Sequence, residues 1–291
     1  MSQPERHVVI VNPRAGGGKT ERVNLVRECA ARGIEPIVFN LGDDLHDVAL
    51  AAVTGGADAI GVAGGDGSQA LVVALAADHD LPYVCIPAGT RNHFAADLGV
   101  DRADIVRALD AFAQGIERRI DLARVNGRMF VNNASLGVYA KIVQSDEYRD
   151  AKGETVARML PDLLPPRAAP FDLNFRTPDG TEWHGAQLVL VSNNPYRPRR
   201  PGSSGSRGGL DGGVLGVLAV RLLQARELVA LMATEATGAR PEFPGWLDFT
   251  ASVFVVESAG PVDIALDGEP GVMNPPLRFE SLPSALRVRV L

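Results

Sequence analysis

The first 120 residues alternate short apolar runs with longer stretches in which apolar residues recur three and four positions apart. The apolar runs are typical of buried strands, and they cover His7–Val11, Ile34–Phe39, the stretch ending at Ala63, and Tyr83–Ile86. The stretches with helical spacing predict helices over Thr20–Arg32, Asp44–Val53, Gln69–Ala77, the segment ending at Leu98, and Asp101–Gln114. This alternation predicts a parallel sheet with helices on both faces.

Beyond residue 120 the pattern changes to short strands separated by turn residues. Asn126-Gly127 and Pro178-Asp179-Gly180 each separate two apolar runs, which indicates hairpins. Further strands are expected at Val214–Val220, Ala251–Glu257, Pro261–Leu266 and Leu286–Leu291, with helices near Ala151–Leu164 and Ala225–Thr234. We therefore predict an α/β domain over residues 1–122 and a β-sandwich domain over residues 123–291, whose last strand can return to the first domain.

Composition narrows the classes of partner. The formal net charge of −6 argues against nucleic acid, whose phosphates call for a surplus of Lys and Arg. Cys29 and Cys85 are too few and too far apart for a disulfide framework, and their apolar neighbours predict buried thiols. The longest apolar runs are far shorter than the ~18 residues of a membrane span. We expect a cytoplasmic protein, for which transient contact with the inner membrane surface stays open.

The segment Gly64-Gly65-Asp66-Gly67-Ser68 follows one predicted strand and opens the next helix. Glycines let a ligand approach the backbone, and a helix N-terminus offers free N–H groups to phosphate. The carboxylate of Asp66 could meet a nucleotide's Mg²⁺. The alternative is a tight turn between strand and helix. Ligands of parallel sheets bind at the carboxyl ends of strands, where this segment is expected to lie.

Two further loops fall at the same predicted edge. Asn12–Thr20 contains Gly16-Gly17-Gly18-Lys19, but a P-loop needs glycine where Pro13 stands. Lys19 either approaches a phosphate or is a solvated lysine of the first helical turn. In the second loop, Gly89–Asn92, Thr90 or Asn92 is placed to cap the next helix or to contact a ligand.

Two features of the second half complete the candidate chemistry. Asp267-Gly268-Glu269-Pro270 follows a predicted strand, and it is either a hairpin turn or a pair of carboxylates able to accept a hydroxyl proton. The segment 195–213 is rich in Pro, Gly, Ser and Arg, which predicts an exposed loop. Its arginines (Arg197, Arg199, Arg200 and Arg207) either are solvated or meet anionic lipid headgroups.

Taken in order, these motifs resemble those of the diacylglycerol kinase catalytic-domain family of bacterial lipid kinases and sphingosine kinases, which is distantly similar to NAD kinases. The resemblance rests on Asn12-Pro13 with its glycines, Gly64–Ser68, Gly89–Asn92, Asn133–Gly137 and Asp267–Pro270. It implies a nucleotide-binding α/β domain, a β-sandwich domain and an active site in the cleft between them.

The resemblance also implies roles for individual residues. The residues expected to bind ATP are Asn12, Pro13, Arg14, Gly16, Gly64, Gly65, Asp66, Gly67, Ser68, Gly89, Thr90 and Asn92. Asp66 would lie near Mg²⁺ and count among the catalytic residues, with Asp267 or Glu269 as the base that activates a lipid hydroxyl. Asp211 would be the counterpart of a structural Mg²⁺ ligand.

The chain departs from the family pattern at three places. Ala70 and Leu71 stand where an Asn-Glu pair is usual, and His93 stands where an aspartate follows Gly-Thr-x-Asn. Asp211 lies one place out of register, with Gly212 at the expected position. We therefore expect an ATP- and Mg²⁺-dependent lipid kinase of phospholipid metabolism, acting on a diacylglycerol- or sphingoid-like lipid. The alternatives are an inactive relative that binds nucleotide or lipid, and a kinase of a soluble substrate of the NAD or sugar type.

Overall fold

The computed structural model describes residues 5–40, 42–137, 140, 172–196, 207–221, 227 and 243–291. The chain forms two compact units. The first comprises residues 1–122, 209–211 and 282–291, and the second comprises residues 123–208 and 212–281. The helix expected over 151–164, that over 225–234 apart from Glu227, and Arg197, Arg199 and Arg200 lie outside the described residues.

The first unit is built on a parallel sheet. Its strands are β1 (His7–Val11), β2 (Glu35–Val38), β3 (Ala59–Gly64), β4 (Tyr83–Pro87) and the last part of β16 (Leu277–Val290). They are ordered β2-β1-β3-β4-β16, and β5 (Ile116–Val125) also pairs with β16. Strands β3 and β4 are buried along their whole length, as expected of strands covered on both faces. The predicted parallel α/β architecture is confirmed.

The helices of this unit differ in several of their bounds from the sequence prediction. They are α1 (Lys19–Arg22), α2 (Leu25–Ala31), α3 (Leu45–Thr54), α4 (Asp66–Asp78), α5 (His93–Asp97) and α6 (Ala111–Gln114), with a 3-10 turn at Arg107–Asp110. The helix predicted over Thr20–Arg32 is broken at Asn24, whose φ is +50°.

The helix predicted over Asp101–Gln114 is wrong for its first half. Asp101 accepts a hydrogen bond from the N–H of Ala103, and Asp104 accepts one from the N–H of Arg107. Aspartate side chains that bond nearby backbone groups in this way compete with helix formation. The regular helix therefore begins only at Ala111.

The second unit contains two antiparallel sheets. One has the order β12-β11-β10-β7-β14-β15, formed by Trp246–Ala251, Leu215–Val220, Leu188–Asn193, Asn133–Gly137, Val262–Leu266 and Glu269–Met273. The other contains β6 (Arg128–Phe130), β8 (Asn174–Arg176), β9 (Glu182–Trp183), β13 (Val253–Glu257) and the first residues of β16. Both sheets contribute to one apolar core, which includes Phe130, Val191, Phe254, Ile264 and Phe279. The predicted sandwich is confirmed.

Two hairpins in this unit have tight two-residue turns. Asn126-Gly127 joins β5 to β6, and Asp267-Gly268 joins β14 to β15. All four residues have positive φ, between 46° and 87°, which is the conformation of type I′ turns. The hairpin predicted at Asn126-Gly127 is therefore confirmed, and so is the one predicted at Pro178-Asp179-Gly180, where β8 pairs with β9. At Asp267-Gly268, for which the sequence left a turn and a carboxylate pair open, the structure has the hairpin turn. Strand β12 was not expected, and β16 begins at Leu277 rather than near Leu286.

Both cysteines are buried, as predicted. Burial raises the pKa of Cys29 to about 11 and raises the pKa of Cys85 further. In the part of the chain that the structure describes, no helix is both long and apolar enough to span a bilayer.

Candidate functional site

Three glycine-containing loops of the first unit meet at the carboxyl edge of its parallel sheet. The N–H of Gly89 donates to the carbonyl of Gly64 at 3.0 Å, and the N–H of Asn12 donates to that of Ala63 at 3.3 Å. A Cβ on Gly89 would lie 2.3 Å from the Cα of Gly65. A Cβ on Gly16 would lie 2.3 Å from the carbonyl oxygen of Ala88. The glycines are therefore needed for backbone segments to touch, as well as for turning.

The first loop turns at three consecutive glycines, and hydrogen bonds of Asn12 and Thr20 hold its two ends together. Gly16, Gly17 and Gly18 have φ values of 56°, 66° and 81°, which glycine adopts without steric cost. The Asn12 side chain accepts the N–H of exposed Arg14 at 3.0 Å. Thr20 Oγ1 donates to the carbonyls of Asn12 and Pro13. The Thr20 hydroxyl thus links the two ends of the loop, and the Arg14 side chain is exposed to solvent.

Lys19 is not the freely solvated lysine of one of the two alternatives drawn from sequence, because its ammonium is hydrogen-bonded within the protein. Its ammonium donates to the carbonyl of Pro87 at 3.3 Å and to that of Arg102 at 2.6 Å. Partial burial lowers its pKa, although Asp101 opposes that shift. Lys19 therefore fastens the first loop to the end of β4 and to the segment that follows α5.

Asp66 lies in the first turn of α4, because the helix begins earlier than the Gln69 start that the sequence predicts. Its two carboxylate oxygens accept the backbone N–H groups of His93 at 3.1 Å and Phe94 at 3.0 Å. Asp66 thus caps α5 from a neighbouring helix. Each carboxylate oxygen retains a second lone pair, so this cap leaves acceptor capacity for a cation.

Asn92 precedes α5 but does not cap it, since its side chain makes no capping hydrogen bond. Its amide instead donates to the carbonyls of Pro87 and Gly89, at 3.1 and 2.8 Å. The Oδ1 atom of Asn92 is buried and has no hydrogen-bond partner. Thr90, beside it, is exposed. An unpaired buried acceptor next to the Gly65–Gly89 contact marks a place where a donor is missing.

Gln69 is a structural residue of this edge that sequence reasoning did not single out. It is 2% exposed, and its Nε2 donates to the carbonyls of Val62, Gly64 and Ile86. Its Oε1 accepts the hydroxyl of Tyr83. Gln69 therefore links the carboxyl ends of β3 and β4 through the hydrogen bonds of its side-chain amide. A lone amide one turn before Val72 and Val73, on the buried face of α4, is the sequence signal that could have found it.

The residues at this edge fit a nucleotide's phosphates. Gly16 and Gly89 leave backbone uncovered where any side chain would intrude, Gly65 lies against Gly89, and α4 begins beside them. Gly64 packs against Ser68 in the first turn of α4, and Gly67 lies in the same turn. The start of a helix favours anions, and Asp66 supplies an oxygen ligand of the kind Mg²⁺ prefers.

In the second unit, Asp267 occupies the first position of the β14–β15 turn. Its Oδ1 accepts the N–H groups of Asn132 and Asn133, at 2.7 and 3.1 Å, and its Oδ2 accepts that of Val131 at 2.9 Å. Its own N–H donates to the carbonyl of Asn133 at 2.9 Å. Burial raises the pKa of Asp267 to about 6, although the three N–H groups and the charge of Arg207 oppose the rise.

The other candidate residues of this half differ in their surroundings. Glu269 is exposed at the start of β15. Arg207 is only 6% exposed, so the predicted solvated arginine is wrong at this position. Its burial follows from its partners, the carbonyls of Val131 and Asn193 and the Oδ1 of Asn132.

Asp211 is exposed and belongs to the first unit. The neighbouring N–H of Gly212 is bonded to Asn194 Oδ1 at 2.9 Å. Among the described residues, the cluster of carboxylate and imidazole groups close enough to share a cation is Asp44, His46 and Asp47, all exposed. Asp44 already caps α3 there, so that cluster has a structural explanation.

Comparison with known proteins finds relatives of this chain. The family model described as "Diacylglycerol kinase catalytic domain" matches residues 6–125. A diacylglycerol kinase of Mycobacterium tuberculosis (strain CDC 1551 / Oshkosh) is 31% identical over 195 residues, which cover 62% of this chain and 62% of that protein. A diacylglycerol kinase of Bacillus subtilis (strain 168) is 42% identical over 98 residues, or 33% of this chain and 32% of that protein. The match therefore spans less than two thirds of these relatives.

Solved structures extend the likeness of fold to the second unit. A diacylglycerol kinase from Bacillus anthracis strain Sterne superposes with a TM-score of 0.70 at 21% identity, covering 99% of this chain and 97% of that one. A second structure from the same strain gives 0.75 at 22% identity, with 99% and 98% covered. Residues 6–125 therefore match the diacylglycerol kinase catalytic domain, and the chain shares the fold of these solved structures.

Proposed function

We propose that this chain is an ATP- and Mg²⁺-dependent lipid kinase that phosphorylates the hydroxyl of a diacylglycerol- or sphingoid-like lipid. One observation carries the proposal: three glycine loops converge at the carboxyl edge of the first unit's sheet, beside the unpaired Oδ1 of Asn92. The match of residues 6–125 to a kinase catalytic domain supports phosphoryl transfer. Phosphoryl transfer asks mainly for positioning and charge neutralisation, which backbone N–H groups and a metal can supply.

On the nucleotide side, Asn12, Gly16, Gly65 and Gly89 would hold the phosphates, and Asp66 would hold Mg²⁺. Mg²⁺ supplies neutralisation of the charge that develops on the transferred phosphoryl group. In this proposal Asn92 Oδ1 accepts a hydrogen bond from a nucleotide hydroxyl, amine or bound water. That bond would supply the partner that this buried oxygen lacks.

On the acceptor side, we assign the base to Asp267 in preference to Glu269. What supports this choice is its pKa of about 6, which makes its carboxylate ionised but still basic near neutral pH. The hydroxyl proton passes to the carboxylate of Asp267 as the hydroxyl oxygen attacks the γ-phosphorus, and ADP leaves. Glu269 is exposed and no comparable set of N–H donors orients it among the described residues.

The test is transfer of labelled γ-phosphate from ATP to diacylglycerol, sphingosine and NAD, offered separately in detergent micelles or buffer. Wild type is expected to label a lipid. Asp267→Asn is expected to lose at least ~100-fold in kcat, the scale of a general base, and Glu269→Gln to lose much less. Asp263→Asn, on strand β14 that leads into the Asp267 turn, is the matched control and keeps activity. Absence of lipid labelling by wild type would contradict the proposal, and labelling of NAD alone would favour a soluble-substrate kinase.

A second candidate function is a family member that binds nucleotide or lipid without efficient turnover. The observation that favours it is the engagement of both oxygens of Asp66 by the start of α5. Ala70, Leu71 and His93 also bring no carboxylate to this edge. ATP binding measured by calorimetry, together with no transfer to any acceptor, would select this candidate.

Regarding cellular context, we place the protein in phospholipid metabolism in the cytoplasm, with transient contact at the inner membrane surface where its lipid resides. What supports this is that the family is named for a membrane lipid, diacylglycerol. Sedimentation with anionic and neutral vesicles would test the contact directly.

A further inference from the structure

A buried guanidinium lies behind the carboxylate of Asp267 in the second unit. Arg207 donates through Nη1 to the carbonyls of Val131 and Asn193, the latter at 3.0 Å, and through Nη2 to Asn132 Oδ1 at 3.1 Å. Three acceptors on two segments are thus held by one planar fork. A lysine could not reproduce that geometry.

The contacts of Arg207 and Asp267 meet on the same peptide groups. The carbonyl of Val131 takes the Arg207 hydrogen bond, and the N–H of the same peptide unit, that of Asn132, donates the 2.7 Å bond to Asp267. Hydrogen bonds in such a chain polarise one another, so a cation at the carbonyl strengthens the N–H at the carboxylate.

The next peptide repeats the arrangement. The N–H of Asn193 donates to the carbonyl of Asn132 at 3.0 Å, and the N–H of that peptide, which belongs to Asn133, donates to Asp267. Asn193 Nδ2 also donates to the carbonyl of Val131 at 3.3 Å. Arg207 bonds the carbonyl of Asn193 in turn, so it anchors both peptides that aim their N–H groups at Asp267.

We propose that Arg207 is the positioning residue for the proton acceptor Asp267, keeping its carboxylate ionised and oriented through the Val131–Asn133 segment. This inference rests on the proposed function and specifies how that site is held. It assigns a role to a residue that the sequence had suggested lies in a solvated loop.

Arg207 is the charged group that opposes the rise in the pKa of Asp267 caused by burial. Strand β7, which pairs with β14, brings Asn, Ala, Ser, Leu and Gly, none of them charged. Among the described residues, the neighbouring strands also bring Asp263 on β14 and exposed Glu269 on β15, and the phenol of Tyr196 accepts a bond from Asn133 Nδ2 at 3.0 Å. A guanidinium remains protonated throughout the working range of pH. Its removal therefore leaves burial less opposed, and the pKa of Asp267 rises.

The experiment compares Arg207→Met and Arg207→Lys with Arg221→Met in the full chain. Arg221 is a half-buried arginine of the same unit that stacks 5.0 Å from the Trp183 ring, and it does not act on Asp267. One readout is the pH profile of kcat. The other needs no activity: carbon-13 NMR of aspartate-labelled protein follows the carboxyl of Asp267, assigned by its loss in Asp267→Asn.

Arg207→Met is expected to raise the midpoint of both curves by about one pH unit, the scale of losing an opposite charge. Arg221→Met should leave both midpoints unchanged. An unchanged midpoint in folded Arg207→Met protein would overturn the inference and leave the proposed function standing. If Arg207→Met does not fold, Arg207→Lys is the test of the inference. A ~10-fold fall in its kcat with KM unchanged supports the inference, and a wild-type kcat overturns it. If wild type labels no lipid, the proposed function fails, and the NMR midpoint still reports whether Arg207 governs Asp267.

Discussion

Gly65 and Gly89 touch each other, yet alanine is expected to destabilise the protein at Gly89 and to be tolerated at Gly65. A Cβ on Gly89 would lie 2.3 Å from Gly65 Cα and 2.9 Å from Gly65 N, both backbone atoms. To reach the 3.4 Å of ordinary contact, the two loops must separate by about 1.1 Å. A Cβ on Gly65 would lie 3.5 Å from Gly89 Cα, which is already ordinary contact. Gly65 also has a φ of −87°, which alanine adopts freely.

Gly89→Ala should therefore lose about 2 kcal/mol of unfolding free energy, the usual cost of overpacking. Displacement by about 1 Å at a reacting site costs ~100-fold in rate, so phosphoryl transfer should fall on that scale. Gly65→Ala should stay within about 0.5 kcal/mol of wild type. Urea denaturation followed by far-ultraviolet circular dichroism measures the first quantity, and calorimetric titration with ATP shows whether the loops still bind nucleotide.

The result that would refute this reasoning is a Gly89→Ala protein as stable as Gly65→Ala and with the same ATP affinity. That outcome would mean that the loops separate without cost, so their contact would not shape the nucleotide site. Equal losses in both variants would also contradict it, because a methyl group has over an ångström more clearance at Gly65 than at Gly89.

Three further predictions concern Gln69, Asp66 and Asp267, whose side chains hydrogen-bond backbone groups. Gln69→Leu should cost about 3 kcal/mol in urea unfolding, because three carbonyls and the Tyr83 hydroxyl lose their partner; Tyr83→Phe, the matched control, should cost about 1 kcal/mol. Asp66→Ala should cost about 1 kcal/mol by uncapping α5 and should also weaken Mg²⁺-dependent ATP binding, whereas a loss of stability alone would argue against a metal role. The pKa of Asp267 lies at about 6, above the 3.8 of an ordinary aspartate, so kcat should rise with pH through about 6. For the same reason the unfolding free energy should fall between about pH 4 and 6 and be flat above, since the folded state holds the proton longer.

Much of the fold follows from local pattern. Strand and helix alternation predicted the parallel sheet, and Asn126-Gly127 predicted a hairpin, because both signals depend on neighbouring residues alone. The helix expected over Asp101–Gln114 was wrong because the side chains of Asp101 and Asp104 bond the backbone locally. Periodicity does not register that competition.

The site was predictable in its motifs but not in its contacts. The glycine loops follow strands in the sequence, so their common edge could be inferred from topology. The burial of Arg207 could not, because its partners Val131 and Asn193 are 76 and 14 residues away. Likewise, the sequence indicates a carboxylate at Asp66 but not that residues 27 and 28 positions later supply its N–H donors.

The cap that Asp66 places on α5 has a consequence for how the motif should be interpreted in other sequences. A carboxylate that holds a helix in place is under selection for folding, whether or not the protein turns over substrate. A family member that lost catalysis would therefore retain Gly-Gly-Asp-Gly for its stability, and the aspartate alone would not distinguish active from inactive members. Residues without such a structural duty, among them exposed Glu269, are free to diverge once activity is lost, and their substitution is the more informative record of it.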